Sequence, residues 1–167
     1  MTDDARADAA GTAERVAGFV YGTIVALAVV VAGARAYPHQ PGHIAALVAI
    51  TSVALWLGHV YARALGHSVG RNEHLRLAEL RRIASHERSI IEAAIPPVAA
   101  LLLGTLGVLS TQVAVWTAFG LGLAVLLAQG VTVARVEHLG LLGTLGVVAA
   151  NIGLGVLLVA VKLAVTH

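Results

Sequence analysis

The sequence predicts an all-α, polytopic membrane protein: five transmembrane helices plus one amphipathic inner-surface helix, with the N-terminus inside and the C-terminus outside. Three observations predict it. Of 167 residues, 58% are hydrophobic and only 12% charged, against about a quarter charged in soluble domains, so there is too little charge to coat a folded surface in water. Several runs without Asp, Glu, Lys or Arg reach the ~20 residues that a membrane-crossing helix needs. Once those runs are taken as spans, only Arg35 and Lys162 of the 11 Lys and Arg residues fall on the outer side, and an excess of Lys and Arg marks the cytoplasmic side.

Residues 1–15 carry Asp3, Asp4, Asp8 and Glu14 among small side chains. That composition predicts a disordered cytoplasmic tail. It also argues against a cleaved signal peptide, although Ala32-Gly33-Ala34 resembles a cleavage site. Residues 16–167 are expected to form a single five-helix domain. The first span, about 16–35, lies between Arg15 and Arg35. Pro38 and Pro41 then impose a loop, because proline lacks a donor and disfavours helix in the residue before it, and the second span follows at about 44–65.

The cytoplasmic connector 66–92 is the one sizeable polar segment. Leu77, Leu80, Ala84 and Ile91 recur in it at helical spacing, with Arg76, Glu79, Arg82, His86 and Ser89 on other faces, the pattern of a helix lying on the membrane surface. Such a helix is either a solvated connector or a docking face for a cytoplasmic partner or anionic lipid head groups. The uncharged stretch 93–134 would be about 63 Å long as one helix, enough for two crossings, at about 93–110 and 113–135, with Ser110-Thr111-Gln112 as the turn. The fifth span is expected at about 139–162.

The entry to the third span is unusual. Ser89 and Glu92 fit a capping box, and Pro96 and Pro97 cannot donate to the carbonyls of Glu92 and Ala93, so the helix must kink or restart there. A broken helix beside a carboxylate resembles, in physical terms, the discontinuous helices that hold cations in transporters; the plainer reading is a proline-started helix with Glu92 among head groups. Gly18, Gly22 and Ala26 in the first span, and Gly143 and Gly146 in the fifth, form small-residue stripes of the kind through which membrane helices approach closely. The heptapeptide of residues 102–108, Leu-Leu-Gly-Thr-Leu-Gly-Val, recurs at 141–147, by internal duplication or by chance.

Ionisable residues within spans are functional candidates. His59, Arg63 and His67 stand four apart on one helix face, and imidazole changes charge between about pH 5 and 8. Together with Glu92, Tyr21, Thr23, Gln129 and Thr132 they would line a polar vestibule open to the inside, with Asn151 as a further step outward. Equally, each could be a packing residue bonded to a carbonyl or to a neighbouring hydroxyl. His86-Glu87 and Glu137-His138 read as surface pairs without a third ligand. His39 and His43 would share a metal only if helical, which the adjacent prolines oppose.

No cysteine is present, which excludes disulfides and thiolate chemistry, and no nucleotide-binding, zinc-protease or hydrolase motif occurs. The expectation is therefore a non-enzyme with no catalytic residues, no cofactor and no metal. The formal net charge of +2 is too even a balance to suggest nucleic-acid binding. The expected partners are the bilayer and either further copies of the chain or another membrane protein.

Tyr21-Gly22-Thr23 in the first span, the run Trp56-Leu57-Gly58-His59-Val60-Tyr61-Ala62 in the second, Glu87-Arg88 before the third and the stretch from Asn151 to Lys162 are similar to small integral membrane proteins of the actinobacterial type. The Ala, Gly, Val and Arg bias with a single Lys suits a high-GC genome. The resemblance implies a multi-pass protein of a bacterial plasma membrane and no particular chemistry. Two functions follow as expectations: a structural or accessory membrane subunit, or a small oligomeric proton or cation channel or carrier built on the vestibule.

Overall fold

The computed structural model describes residues 3–71 and 77–136, together with single helical positions at Gly143, Gly146, Ala149, Gly153 and Ala160. Every regular element among them is a helix: α1 Asp3–Ala36, α2 Pro41–Arg71, α3 Leu77–His86, α4 Ser89–Glu92, α5 Ile95–Thr105 and α6 Thr111–Val136. Three of these have segments long and apolar enough to cross a membrane, Glu14–Ala36, Pro41–His67 and Thr111–Val133, and the bent pair Leu77–Glu92 with Ile95–Thr105 makes a fourth if it is counted as one. The fifth expected span and Asn151 lie outside the described residues, apart from the five helical positions.

The structure differs from expectation at three places. The first lies within residues 1–15, expected to be a disordered tail. The chain is already helical from Asp3, because Ala5, Ala7, Ala9 and Ala10 supply helix propensity without bulk, and Asp3 and Asp4 suit the positive end of the helix dipole. The second concerns α2, which starts at Pro41 rather than near Ile44, since proline fits the first helical turn, and runs on to Arg71, shortening the connector.

The third correction concerns the capping box. Arg88, before α4, is itself in the helical conformation at φ −58° and ψ −23°, and no side chain caps the helix. Ser89 is buried, and Glu92 pairs with Arg88 four residues back at 3.1 Å. A cap needs a residue held outside helical geometry, and the chain enters α4 already coiled.

Pro96 and Pro97 stand at the start of α5, and the helical axis bends there by 50°. At 11 residues α5 spans only about 16 Å, so the expected third span, 93–110, is broken and short. Its far end closes in a Schellman turn. Val108 donates to the Leu103 carbonyl at 3.0 Å and Gly107 to that of Gly104 at 3.2 Å, while Gly107 takes φ 76°, which only glycine adopts without strain. Ser110 accepts from the Val113 amide as α6 begins.

The core lies between α1, α2, α5 and α6, where Leu27, Val30, Ile44, Val48, Leu101 and Phe119 are fully enclosed. Polar side chains along these helices fold back on their own backbone: Thr23 donates to Phe19, Ser52 to Val48, Thr105 to Leu101 and Thr132 to Ala128, each four residues earlier. That arrangement satisfies a hydroxyl without requiring a partner helix. The Gly18–Gly22 edge of α1 runs along α4. A Cβ placed on Gly22 would lie 2.7 Å from the Ile90 carbonyl oxygen, and one on Gly18 would lie 2.5 Å from the Ser89 hydroxyl. At Gly22 the contact is thus helix against bare backbone, the kind of approach that binds helices where lipid offers no hydrophobic drive.

Candidate functional site

Charged side chains gather at one end of the bundle, where α1 begins and α2 ends. Arg63 is the hub. Its Nη1 lies 3.2 Å from Glu14 Oε2 on α1, and its Nε lies 2.6 Å from Glu87 Oε1. The two carboxylates differ sharply: the Glu87 side chain is 7% exposed and that of Glu14 52%. Glu87 is carried into this position by α3, which is pinned to α2 where the Trp56 indole N–H donates to the Ala84 carbonyl at 3.1 Å. A carboxylate this deep needs a charged, hydrogen-bonding partner, and the Arg63 fork provides it.

Among the described residues, cavities open at this end of the bundle, one of them beside Arg63. The largest, about 540 Å³, is lined by Glu14, Arg63, His67, Arg82 and His86 with Gly66 and Ile83. A second, about 250 Å³, is lined by Arg15, Ser85, His86 and Arg88. A third, about 260 Å³, brings Glu92 and Gln129 together with Arg15, Ser89 and residues of α1. His86 borders the first two and Arg15 the last two.

The expected polar residues are divided among different places. Arg63 and His67 share the large cavity, while Glu92 and Gln129 share the third. Tyr21 and His59 face each other elsewhere, their rings 5.4 Å apart, on a side where Tyr21 is 46% exposed. His59 Nδ1 is 3.1 Å from the Leu55 carbonyl; a carbonyl only accepts, so Nδ1 carries the proton in that contact. Thr23 is enclosed and Thr132 lies on the outer surface. The division follows from the rotation of α1: with Gly18 and Gly22 against α4, Tyr21 is turned about 100° away, toward α2. Of the packing residues, Ala26 is buried in the core, and Gly146 has open space where a side chain would stand among the described residues.

Glu87 was expected to be half of a surface pair with His86, and the structure corrects this: it is buried, as the inner partner of Arg63. Sequence reasoning missed it and Glu14 as well. The available signal was Arg63 itself, since a guanidinium at the end of a long apolar run requires a carboxylate, and the connector offered several. His43, weighed above as a metal ligand, stacks on Tyr37 with ring centroids 5.2 Å apart, and no group of three or more metal-ligating side chains occurs among the described residues. The chain matches no protein-family model, no curated protein and no solved structure.

Proposed function

We propose that this protein is a non-catalytic integral membrane subunit that works by packing against further copies of itself or against another membrane protein. One observation carries the reading. Thr23, Ser52, Thr105 and Thr132 spend their hydrogen bonds on their own helices, around a core filled by apolar side chains. A conduit needs polar groups turned toward a shared interior, and these are turned toward backbone. The exposed Tyr21–His59 pair supports the same reading, because polar rings on the outer face of a spanning segment find partners on a neighbouring helix more readily than in lipid.

The setting we propose is a bacterial plasma membrane, with the charged end in the cytoplasm and five crossings in all. The asymmetry of Lys and Arg supports that orientation. Labelling single cysteines placed in the connector and beside Pro38 tests it: the connector is expected to react only after the cells are opened.

Purification from native membranes in mild detergent, followed by mass measurement, tests the function. The expected result is a defined complex well above the 17.1 kDa chain; a monomer alone overturns the reading. In liposomes, proton and cation flux is expected to match empty vesicles. Flux that disappears in the His59→Ala, Glu92→Ala double variant would establish the transport alternative instead.

A further inference from the structure

The cavity of about 250 Å³ lined by Arg15, Ser85, His86 and Arg88 has a donor set that the accessory reading does not use. None of its four lining side chains is a carboxylate. Arg15 has no ion pair among the described residues. Arg88 engages Glu92 through Nε, 3.1 Å away, which leaves its terminal nitrogens available to another acceptor. Ser85 gives its proton to the Arg82 carbonyl at 2.8 Å and so stands as an acceptor. Two guanidinium groups with an adjoining hydroxyl oxygen match a phosphate that carries a hydroxyl-bearing substituent, because guanidinium presents paired donors to phosphate oxygens.

Position supplies the second argument. Arg15 is the second residue of the membrane-long segment Glu14–Ala36, and Arg88 immediately precedes α4 on the bent pair. The cavity therefore lies where the hydrocarbon ends and lipid phosphates begin. The helix that contributes Ser85 and His86, α3, leaves Leu77 79% exposed and Leu80 38% exposed and has no buried residue. An amphipathic helix at this depth sinks its leucines into the acyl boundary and keeps its basic side among the head groups.

We propose that this cavity binds the phosphodiester of an anionic, hydroxyl-bearing phospholipid head group, with Arg15 and Arg88 on the phosphate oxygens and Ser85 accepting from the head-group hydroxyl. The site serves the chain whether it is an accessory subunit or a conducting one, so its failure leaves the functional reading untouched.

The test uses the full chain in detergent, with phosphatidylglycerol and phosphatidylcholine added in turn and retained lipid counted by native mass spectrometry. Phosphatidylglycerol is expected to bind at least about tenfold more tightly than phosphatidylcholine. Arg15→Gln is expected to weaken it about fivefold and the Arg15→Gln, Arg88→Gln pair about thirtyfold, each guanidinium near the surface contributing a similar factor. Arg35→Gln, at the opposite end, is expected to change nothing. If the double variant unfolds, Arg15→Gln decides alone, because that side chain has no ion pair to lose among the described residues. Equal retention of the two lipids, or unchanged retention in Arg15→Gln, overturns the site. Displacement of the lipid by millimolar inorganic phosphate assigns the cavity to a soluble phosphate and overturns the lipid proposal.

Discussion

The two ends of this bundle are built on different physics. At the end that joins α1 to α2 and α5 to α6, small residues bring backbones together. A Cβ on Gly104 would lie 2.6 Å from that of Ala114, one on Gly42 would touch Thr105, and Ile44 and Leu101 are fully enclosed. At the other end long charged side chains splay apart, and cavities of about 250 to 540 Å³ open between them. In lipid the first end gains nothing from expelling water and depends on dispersion contacts, which fall off within about an ångström. The second depends on charges that reach across gaps. The difference teaches that cavities open in this chain where its charged side chains gather, although Gly18 and Gly22 still hold α1 close to α4 there.

The largest expected effect follows from the buried half of the Arg63 network. Arg63→Leu leaves the Glu87 carboxylate enclosed without its cation, at a cost of about 3 kcal/mol or more, read as a shift in the SDS-titrated unfolding midpoint. Phe119→Ala probes the apolar end. There the transfer term largely vanishes because lipid replaces water, so the cost is mainly the cavity, about 2 kcal/mol for roughly 100 Å³ lost. A larger loss at Phe119 than at Arg63 would reverse the ranking of the two ends. Gly22→Val comes next, at about 1 to 3 kcal/mol, because the new side chain meets the Ile90 carbonyl, which is backbone and cannot rotate aside. The same substitution at Gly58, where a Cβ meets nothing within 4 Å, is expected to be nearly silent.

How far these features were legible in the sequence depends on whether the deciding residue acts locally. Pro96 and Pro97 broke the helix where their missing donors required it, whereas the α5–α6 turn falls at 106–110, ahead of the expected Ser110-Thr111-Gln112, whose last two residues already belong to α6. Apolar runs marked α1, α2 and α6 because hydrocarbon length is a property of the run itself. The Arg63–Glu87 pair was not legible: its members are 24 positions apart, and whether Glu87 points into the bundle or out of it is set by the bend after α4 and by Trp56 holding Ala84. Nor could the sequence show that Tyr21 and Glu92 face different places, since spacing fixes the angle between two residues on one helix but not the rotation of that helix against its neighbours. The reach of α1 back to Asp3 was not legible for a third reason, because a segment too poor in apolar bulk to fold alone can still extend a helix that has already been nucleated.

The repeated heptapeptide turns that lesson into an experiment. In the first copy Gly107 ends α5 with φ 76°, whereas its counterpart Gly146 is helical, as is Ala149 beyond it. Identical neighbours therefore do not decide the conformation. The first copy is followed within a few residues by Ser110, Thr111 and Gln112, and the second by Val-Ala-Ala at 148–150, a sequence with no turn signal. Alanine should thus act with opposite signs at the two glycines. Gly107→Ala is expected to lower stability by about 1 kcal/mol, the strain of a left-handed alanine. Gly146→Ala is expected to raise it by about 0.5 kcal/mol or more, since glycine within a helix carries an entropy cost that alanine lacks. Thermal unfolding in one detergent, followed by helical circular dichroism, compares them directly. A loss at both positions would mean that the second copy also needs its glycine bare.

The smallest expected effect isolates the outer half of the Arg63 network. Glu14 is half exposed and its contact with Arg63 is 3.2 Å, against 2.6 Å for Glu87. Removing the Glu14 charge by Glu14→Gln leaves Arg63 still paired on the inside and exposes no buried group, so the change in stability is expected to stay within about 0.5 kcal/mol and to shrink further in high salt. Glu87→Gln differs in kind. Arg63 keeps Glu14, but the amide that replaces the buried carboxylate accepts through one oxygen and must house two new N–H donors, so a loss of about 1 to 2 kcal/mol is expected. Combining the two substitutions sharpens the comparison: if Arg63 couples its partners, the double variant loses more than the separate changes together, because Arg63 is then left with neither of them.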